Sequence, residues 1–222
     1  MEFKQAHSTN FRVGRNKSIE YIVIHFTANN GDTAKNNADY FTGKLKDPSS
    51  AHYFVDEKEV WQSVLDKDTA YHCGSKNGYK HKYCRNDNSI GIELCSRKDA
   101  AGKYYFKDEV VKRAAALTKE LMKKYNIPVA NVIRHYDVTG KICPAPFVND
   151  EKKWKDFISK LSAHTTKKIE SGNDIVWELM NGKHKIKIDE PAKAVKALDK
   201  AKNDPDFLSL YWILYKVVNG NG

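Results

Sequence analysis

Two short apolar segments constrain the fold of this chain more than any other feature of its sequence. Residues 20–26 and 89–95 are rich in β-branched and apolar side chains, a pattern typical of strands that are buried on both faces. Such strands need helices to cover them. Residues 107–125 form the clearest amphipathic helix in the sequence, and residues 151–161 form a second one. The alternation of strands and helices therefore predicts an α/β domain.

Shorter elements and one long loop connect these segments. Residues 33–44 have moderate helical periodicity, and residues 52–55 and 60–63 read as two short strands joined by a charged turn. Residues 131–134 form a further short strand. Residues 68–88 are rich in Gly, Asn, Lys and His without any period, so we expect a long surface loop, and such loops are usually either functional or disordered.

A change in composition divides the chain. We expect the α/β domain to cover residues 1–162 and a polar linker, with Thr-Thr-Lys-Lys and Ser-Gly, to cover residues 163–172. Residues 173–222 contain short helical patterns, which predict a small all-α module. Its aromatic last helix could pack on the same chain or on a second copy, so a homo-oligomer stays open.

The net charge and the cysteines of the chain indicate what it binds and in which cellular compartment it is made. The net charge of +10 favours a polyanionic partner, either nucleic acid or bacterial cell wall. The N-terminus has no apolar core of signal-peptide length, and no segment approaches the roughly 18 apolar residues of a transmembrane helix. We therefore expect synthesis in the cytoplasm, with the four cysteines kept as thiols.

Three separated residues suggest a metal site. His135 and Cys143 lie eight positions apart, and His25 ends the first apolar segment. Imidazole and thiolate are ligands of borderline-soft metals such as zinc, and three protein ligands with one open position are typical of catalytic zinc. Either histidine alone could be an ordinary core or strand-end residue, but together with the cysteine they favour Zn²⁺.

Two further residues have the chemistry that such a site needs. Glu93 lies within an apolar run, where a carboxylate is costly to bury unless it has a function. It could serve as a general base, or it could simply face water from a one-sided strand. Lys141 lies two positions before Cys143 and could stabilise an oxyanion, or it could be an ordinary solvated lysine.

Four ordered segments resemble one known family. They are residues 22–28, 50–53, 88–93 and 134–144. In this pattern the chain is similar, over residues 18–161, to the zinc-dependent N-acetylmuramoyl-L-alanine amidases of the type-2 amidase and peptidoglycan-recognition superfamily. That superfamily includes bacteriophage endolysins. The resemblance implies a central mixed β-sheet flanked by helices, in agreement with the α/β pattern.

The resemblance also implies roles for individual residues. The implied metal ligands are His25, His135 and Cys143, the implied catalytic residues are Glu93 and Lys141, and the implied substrate-groove residues are Thr27, Ala28 and His72. Some family members have a catalytic tyrosine where this chain has Ala51. Tyr53 should point to the opposite face of its strand, so we do not assign it that role.

The implied reaction is hydrolysis of the amide between N-acetylmuramic acid and L-alanine in peptidoglycan, in the service of bacterial lysis. The enzyme would act on the wall after its release from the cytoplasm, and residues 173–222 would bind cell wall, self-associate or simply pack on the core.

One alternative is a peptidoglycan-recognition protein without activity, although such members typically lose the cysteine ligand. A zinc-dependent nucleic-acid binder using Cys73, His81 and Cys84 is a weaker alternative, because their spacing matches no zinc finger.

Overall fold

The computed structural model describes residues 1–75 and 78–162, all within one compact unit, Met1–Ala163. The strands are β1 (Glu2–Phe3), β2 (Phe11–Arg12), β3 (Tyr21–Phe26), β4 (Tyr53–Val55), β5 (Val60–Gln62), β6 (Thr69–Ala70), β7 (Ser89–Leu94), β8 (Arg97–Lys98), β9 (Tyr104–Tyr105) and β10 (Val132–Arg134). The helices are α1 (Ala34–Phe41), α2 (Asp108–Tyr125), α3 (His135–Thr139), α4 (Ala145–Val148) and α5 (Glu151–Ser162). The predicted linker and all-α module lie outside the described residues.

A six-stranded mixed sheet forms the centre, with the strand order β1-β5-β4-β7-β3-β10. Strand β3 is parallel to both β7 and β10, and β7 is parallel to β4. The pairing of β4 with β5 is antiparallel, as expected for two strands joined by a short turn. The predicted α/β fold with a mixed sheet is therefore confirmed for the described residues.

The two central strands alternate between two environments. Ile22 and Ile24 of β3, with Ile90 and Ile92 of β7, are fully buried in the main apolar cluster. That cluster includes five buried residues of α2 and three of α5, namely Val110, Ala114, Ala115, Leu117, Leu121, Trp154, Phe157 and Leu161. Val23 points to the other side of the sheet, where it packs in a smaller cluster. Helices α2 and α5 thus cover one face, and part of the opposite face is available for polar groups.

The segment predicted as a surface loop over residues 68–88 is largely irregular, but parts of it are buried, so the expectation was wrong for those parts. His72, Cys73 and Cys84 are less than a tenth exposed. The side chain of Asn86 accepts hydrogen bonds from the amides of His72 and Cys73, at 3.1 and 2.8 Å. The polar composition therefore satisfies buried backbone groups rather than facing only water.

None of the helices in the described part of the chain is long and apolar enough to cross a membrane.

Candidate active site

The pairing of β3 with β7 brings a histidine and a carboxylate together. His25 pairs with Glu93 in the parallel register, so both side chains project from the same face of the sheet. The Nδ1 atom of His25 lies 4.0 Å from Oε1 of Glu93. The alternative in which Glu93 simply faces water does not hold, because its Oε2 atom is buried and has no hydrogen-bond partner among the residues that the structure describes.

The end of β10 places a second histidine beside the first. Arg134, the last residue of β10, pairs with Ile24, and His135 follows at the start of α3. The ring centroids of His25 and His135 are 4.7 Å apart. Carboxyl ends of parallel strands meet at one edge of a sheet, where binding sites commonly form.

A tight turn returns the chain to this edge. Gly140 ends α3 with a φ of 85°, a backbone conformation that favours glycine. The carbonyl of Cys143 then accepts a hydrogen bond of 2.8 Å from the amide of Tyr136. This contact fixes Cys143 against the first turn of α3 and leaves Lys141 at the rim.

The structure therefore brings the three predicted ligands together. His25, His135 and Cys143 are buried, and one candidate ligand atom from each lies within 4.8 Å of the others. Sγ of Cys143 is 3.7 Å from Nδ1 of His25. Tetrahedral zinc with usual bond lengths separates such a pair by about 3.6 Å. The spacing and the soft donor set both fit a zinc ion.

His135 provides a further test of the fit. Both of its ring nitrogens are buried and have no hydrogen-bond partner among the described residues. Burial, with a contribution from Lys141, lowers the pKa of His135 to about 4, and burial also holds the pKa of His25 well below its usual value. Both rings are therefore neutral near pH 7, which is the form that binds a metal.

Two acidic groups of the site, the Cys143 thiol and the Glu93 carboxyl group, are shielded from water. Burial raises the pKa of Cys143 to about 12 and that of Glu93 to about 8, although Lys141 opposes both shifts. A divalent cation at the cluster would lower both pKa values, because it stabilises the thiolate and the carboxylate. The groups are thus arranged so that their ionisation depends on a bound cation.

The cluster opens into a groove of roughly 720 Å³. Thr27, Ala28, His72, Glu93 and Lys141 all line it. The predicted groove and site residues therefore share one cavity. The side chain of Tyr53 instead donates a hydrogen bond to Asp66 at 2.5 Å within the core, as expected for a residue that takes no part in the site.

Sequence patterns missed one wall of the groove and one of its supports. Asn36, Asn37 and Tyr40 of α1 line the cavity, but nothing in the helical pattern distinguished them. Tyr104 donates a hydrogen bond of 2.6 Å to the carbonyl of Ala28, whose φ is 56°. Because 76 positions separate that tyrosine from its partner, no local sequence signal could reveal the contact.

The fold and the site together define an α/β protein with a candidate metal site of two histidines and one cysteine at the carboxyl edge of a mixed sheet. A match to the Amidase_2 family model, described as N-acetylmuramoyl-L-alanine amidase, covers residues 15–146. The chain belongs to this family, which confirms the family resemblance that the sequence motifs indicated.

Individual relatives agree with this assignment. The chain is 38% identical over 152 residues to the N-acetylmuramoyl-L-alanine amidase CwlL of Bacillus licheniformis, covering 65% of this chain and 41% of that protein. It matches the solved catalytic domain of XlyA, a protein of Bacillus subtilis, with 30% identity and a TM-score of 0.58, over 72% of this chain and 99% of that domain. The chain spans about half the length of the curated relatives it matches.

Proposed function

We propose that this chain is a zinc-dependent N-acetylmuramoyl-L-alanine amidase, which hydrolyses the amide between N-acetylmuramic acid and the L-alanine of the stem peptide. One observation carries the proposal. Within a domain of this family, the three soft ligands His25, His135 and Cys143 converge at a groove that Glu93 and Lys141 also line. Peptidoglycan is then the partner, and no nucleic acid is needed to account for the groove.

The zinc ion would be held by the two neutral imidazoles and the Cys143 thiolate, with one position left open. When bound, zinc supplies a water molecule of lowered pKa and polarises the carbonyl to be attacked. The alternative set of Cys73, His81 and Cys84 is not among the groups of described residues that could hold a metal.

Glu93 would act as the proton carrier. Its buried oxygen has no hydrogen-bond partner in the described part of the chain, and the same carboxyl group lies beside the His25 ligand. A carboxylate in this position can take a proton from the attacking water and deliver it to the departing amine of L-alanine. Its desolvated setting favours this exchange, because a carboxyl group with a raised pKa holds the proton well enough to transfer it.

Lys141 would stabilise the oxyanion that develops on the scissile carbonyl. Its charge acts on the three candidate ligands and on Glu93, because it lowers the pKa of His25, His135, Glu93 and Cys143. A fixed cation that faces developing negative charge in a partly dry groove contributes directly to transition-state stabilisation.

The groove around these residues would bind the muropeptide. Thr27, Ala28 and His72 line this groove. Asn36 also lines it, and its side-chain amide suits a substrate composed of sugar hydroxyls and peptide amides. The strongly positive chain would also be attracted to anionic cell wall.

We further propose that the protein serves bacterial lysis as an endolysin, made in the cytoplasm and acting on the wall after release. In this proposal residues 1–162 are the catalytic domain, residues 163–172 are a linker, and residues 173–222 are a helical module for wall binding or self-association. Removal of residues 163–222 should then preserve hydrolysis of soluble muropeptides but reduce sedimentation with whole walls. Unchanged sedimentation would contradict wall binding by that module.

Product identification tests the proposed bond. Purified cell wall incubated with the chain should release stem peptides that begin with a free L-alanine amine, and mass spectrometry should find intact glycan strands lacking those peptides. A matched digestion with Glu93→Gln should release almost none. Cleavage between sugars or within the stem peptide would contradict the proposed reaction. Wall binding without any release would instead favour a recognition protein.

A further inference from the structure

A chain of hydrogen bonds connects the His25 ligand with two residues outside the predicted ligand set, His72 and Ser89. The Nε2 atom of His25 lies 3.0 Å from Nδ1 of His72. On the far side of the second ring, Nε2 of His72 lies 3.1 Å from the hydroxyl of Ser89. That hydroxyl donates to the carbonyl of Arg85 at 2.6 Å. His25, His72 and Ser89 are all buried.

The direction of each hydrogen bond follows from the last one. A serine hydroxyl has one proton, and Ser89 gives it to the Arg85 carbonyl, which can only accept. The hydroxyl must therefore accept from Nε2–H of His72. A neutral imidazole with its proton on Nε2 has a bare Nδ1, and this atom must accept from Nε2–H of His25. The proton of His25 is thereby kept on Nε2.

This arrangement leaves Nδ1 of His25 with a free lone pair. The same Nδ1 atom faces Sγ of Cys143 at 3.7 Å and Oε1 of Glu93 at 4.0 Å. A metal ligand must present a bare nitrogen, and the group bonded to its other nitrogen commonly fixes both the tautomer and the ring orientation. In many proteins a carboxylate or a backbone carbonyl has this position, whereas here a second histidine and a serine connect the ligand to a carbonyl.

The surroundings of His72 hold its ring in place. Its Cγ atom would lie 2.5 Å from a Cβ atom added to Gly91, so the ring lies against β7 where only glycine leaves room for it. The ring of His52 packs edge-on against it, with a centroid distance of 5.6 Å. His52 is itself fixed, because its Nδ1 accepts from the amide of Gly91 at 3.0 Å.

We propose that His72 and Ser89 are positioning residues, which fix the tautomer of His25 so that its Nδ1 lone pair points at the metal site. This inference rests on the proposed zinc site and adds a role for His72 beyond that of lining the groove. It also gives a reason for two residues, Ser89 and Gly91, that have no catalytic chemistry of their own. Their function is to orient a ligand.

Zinc affinity of the full chain tests the inference without any assay of activity. Ser89→Ala and His72→Leu each break the hydrogen-bond chain and should weaken zinc binding about 10- to 100-fold in competition with a chromophoric chelator. Ser63→Ala is the matched control, because Ser63 is as buried as Ser89 but its hydroxyl has no hydrogen-bond partner within residues 1–75 and 78–162. That variant should bind zinc like the unsubstituted chain. His72→Asn retains an acceptor near the Nδ1 position and should bind more tightly than His72→Leu.

The outcomes separate this inference from the proposed function. Unchanged zinc affinity in both Ser89→Ala and His72→Leu would overturn the positioning role alone. Failure of the unsubstituted chain to bind zinc would overturn both the role and the proposed function. Nitrogen-15 NMR of the unsubstituted chain gives a test that does not depend on any variant folding. Protons on Nε2 of both His25 and His72 are expected, and a proton on Nδ1 of His72 would contradict the inference.

Discussion

The two faces of the central sheet differ sharply, although strands β3 and β7 contribute side chains to both. On one face, Ile24 and Ile92 are fully buried against α2 and α5. On the other face, one residue further along each strand, His25 and Glu93 lie side by side at the groove. Because successive side chains of a strand point to opposite faces, the residues that stabilise the core are separate from those that line the groove. Substitutions on one face should change activity, and substitutions on the other should change stability.

The largest expected effect is on the polar face. Glu93→Gln keeps the shape of the side chain but removes its ability to carry a proton, so kcat for muropeptide hydrolysis should fall about 10²- to 10⁴-fold. The thermal midpoint and the zinc content should stay close to those of the unsubstituted chain. Activity within threefold of that chain would show that Glu93 is not the proton carrier.

The apolar face should respond in the opposite way. Ile92→Ala removes fully buried atoms from the main cluster and should lower the free energy of unfolding by about 2–5 kcal/mol. Because its side chain points away from the groove, kcat of the folded fraction should change little. Urea denaturation and activity measured on the same preparation check both parts. A large loss of kcat with unchanged stability would contradict the proposal that one face determines stability and the other determines activity.

Gly91→Ala tests how the polar face supports the metal site. The new methyl group would lie 2.5 Å from the ring of His72, so the ring must move, at a cost of about 1–3 kcal/mol in stability. We also expect weaker zinc binding, because His72 supports His25. Gly74→Ala is a suitable control, since a Cβ atom there meets no neighbour within 4 Å. Equal zinc affinity in the two variants would argue against the coupling.

These contrasts also explain how much the sequence could predict. The two apolar runs and the amphipathic helices were sufficient for the fold class, because burial on both faces leaves a strong signal. His25, Glu93, His135 and Cys143 stood out because their chemistry is unusual in such contexts. Their convergence depends on strand register, which the sequence alone does not reveal.

Other parts of the site leave no such signal. Ser89 and Gly91 are ordinary residues of a buried strand, and their relation to His72 arises only when the preceding loop folds back onto β7. That loop was expected at the surface, because polar residues that satisfy buried backbone groups resemble those that face water. The helix α3 was not predicted either, since its five residues are too few to show a period.

The smallest expected effect concerns pH. Burial, with the nearby Arg15 charge, lowers the pKa of His52 from 6.5 to about 3. The unfolded chain therefore binds a proton below about pH 6.5 that the folded chain does not, so stability is full above that pH and falls as the pH decreases towards 3. The contribution of His52 should be on the order of 1 kcal/mol per pH unit in this range.

Urea denaturation of the metal-free chain at pH 7 and at pH 5.5 measures this loss. His52→Asn removes the titrating group and should lose less stability than the unsubstituted chain between these two pH values. Equal losses in the two proteins would show that His52 does not contribute to the acid sensitivity.

Zinc titration of the metal-stripped chain tests the central claim most directly. A soluble N-acetylmuramoyl peptide is the substrate, and the new amine of L-alanine is the measured product. We expect no release without metal and a rise in rate that reaches its maximum at one equivalent of zinc, while Cys143→Ala should stay inactive throughout. Release that is independent of zinc, or equal activity of Cys143→Ala, would contradict the account.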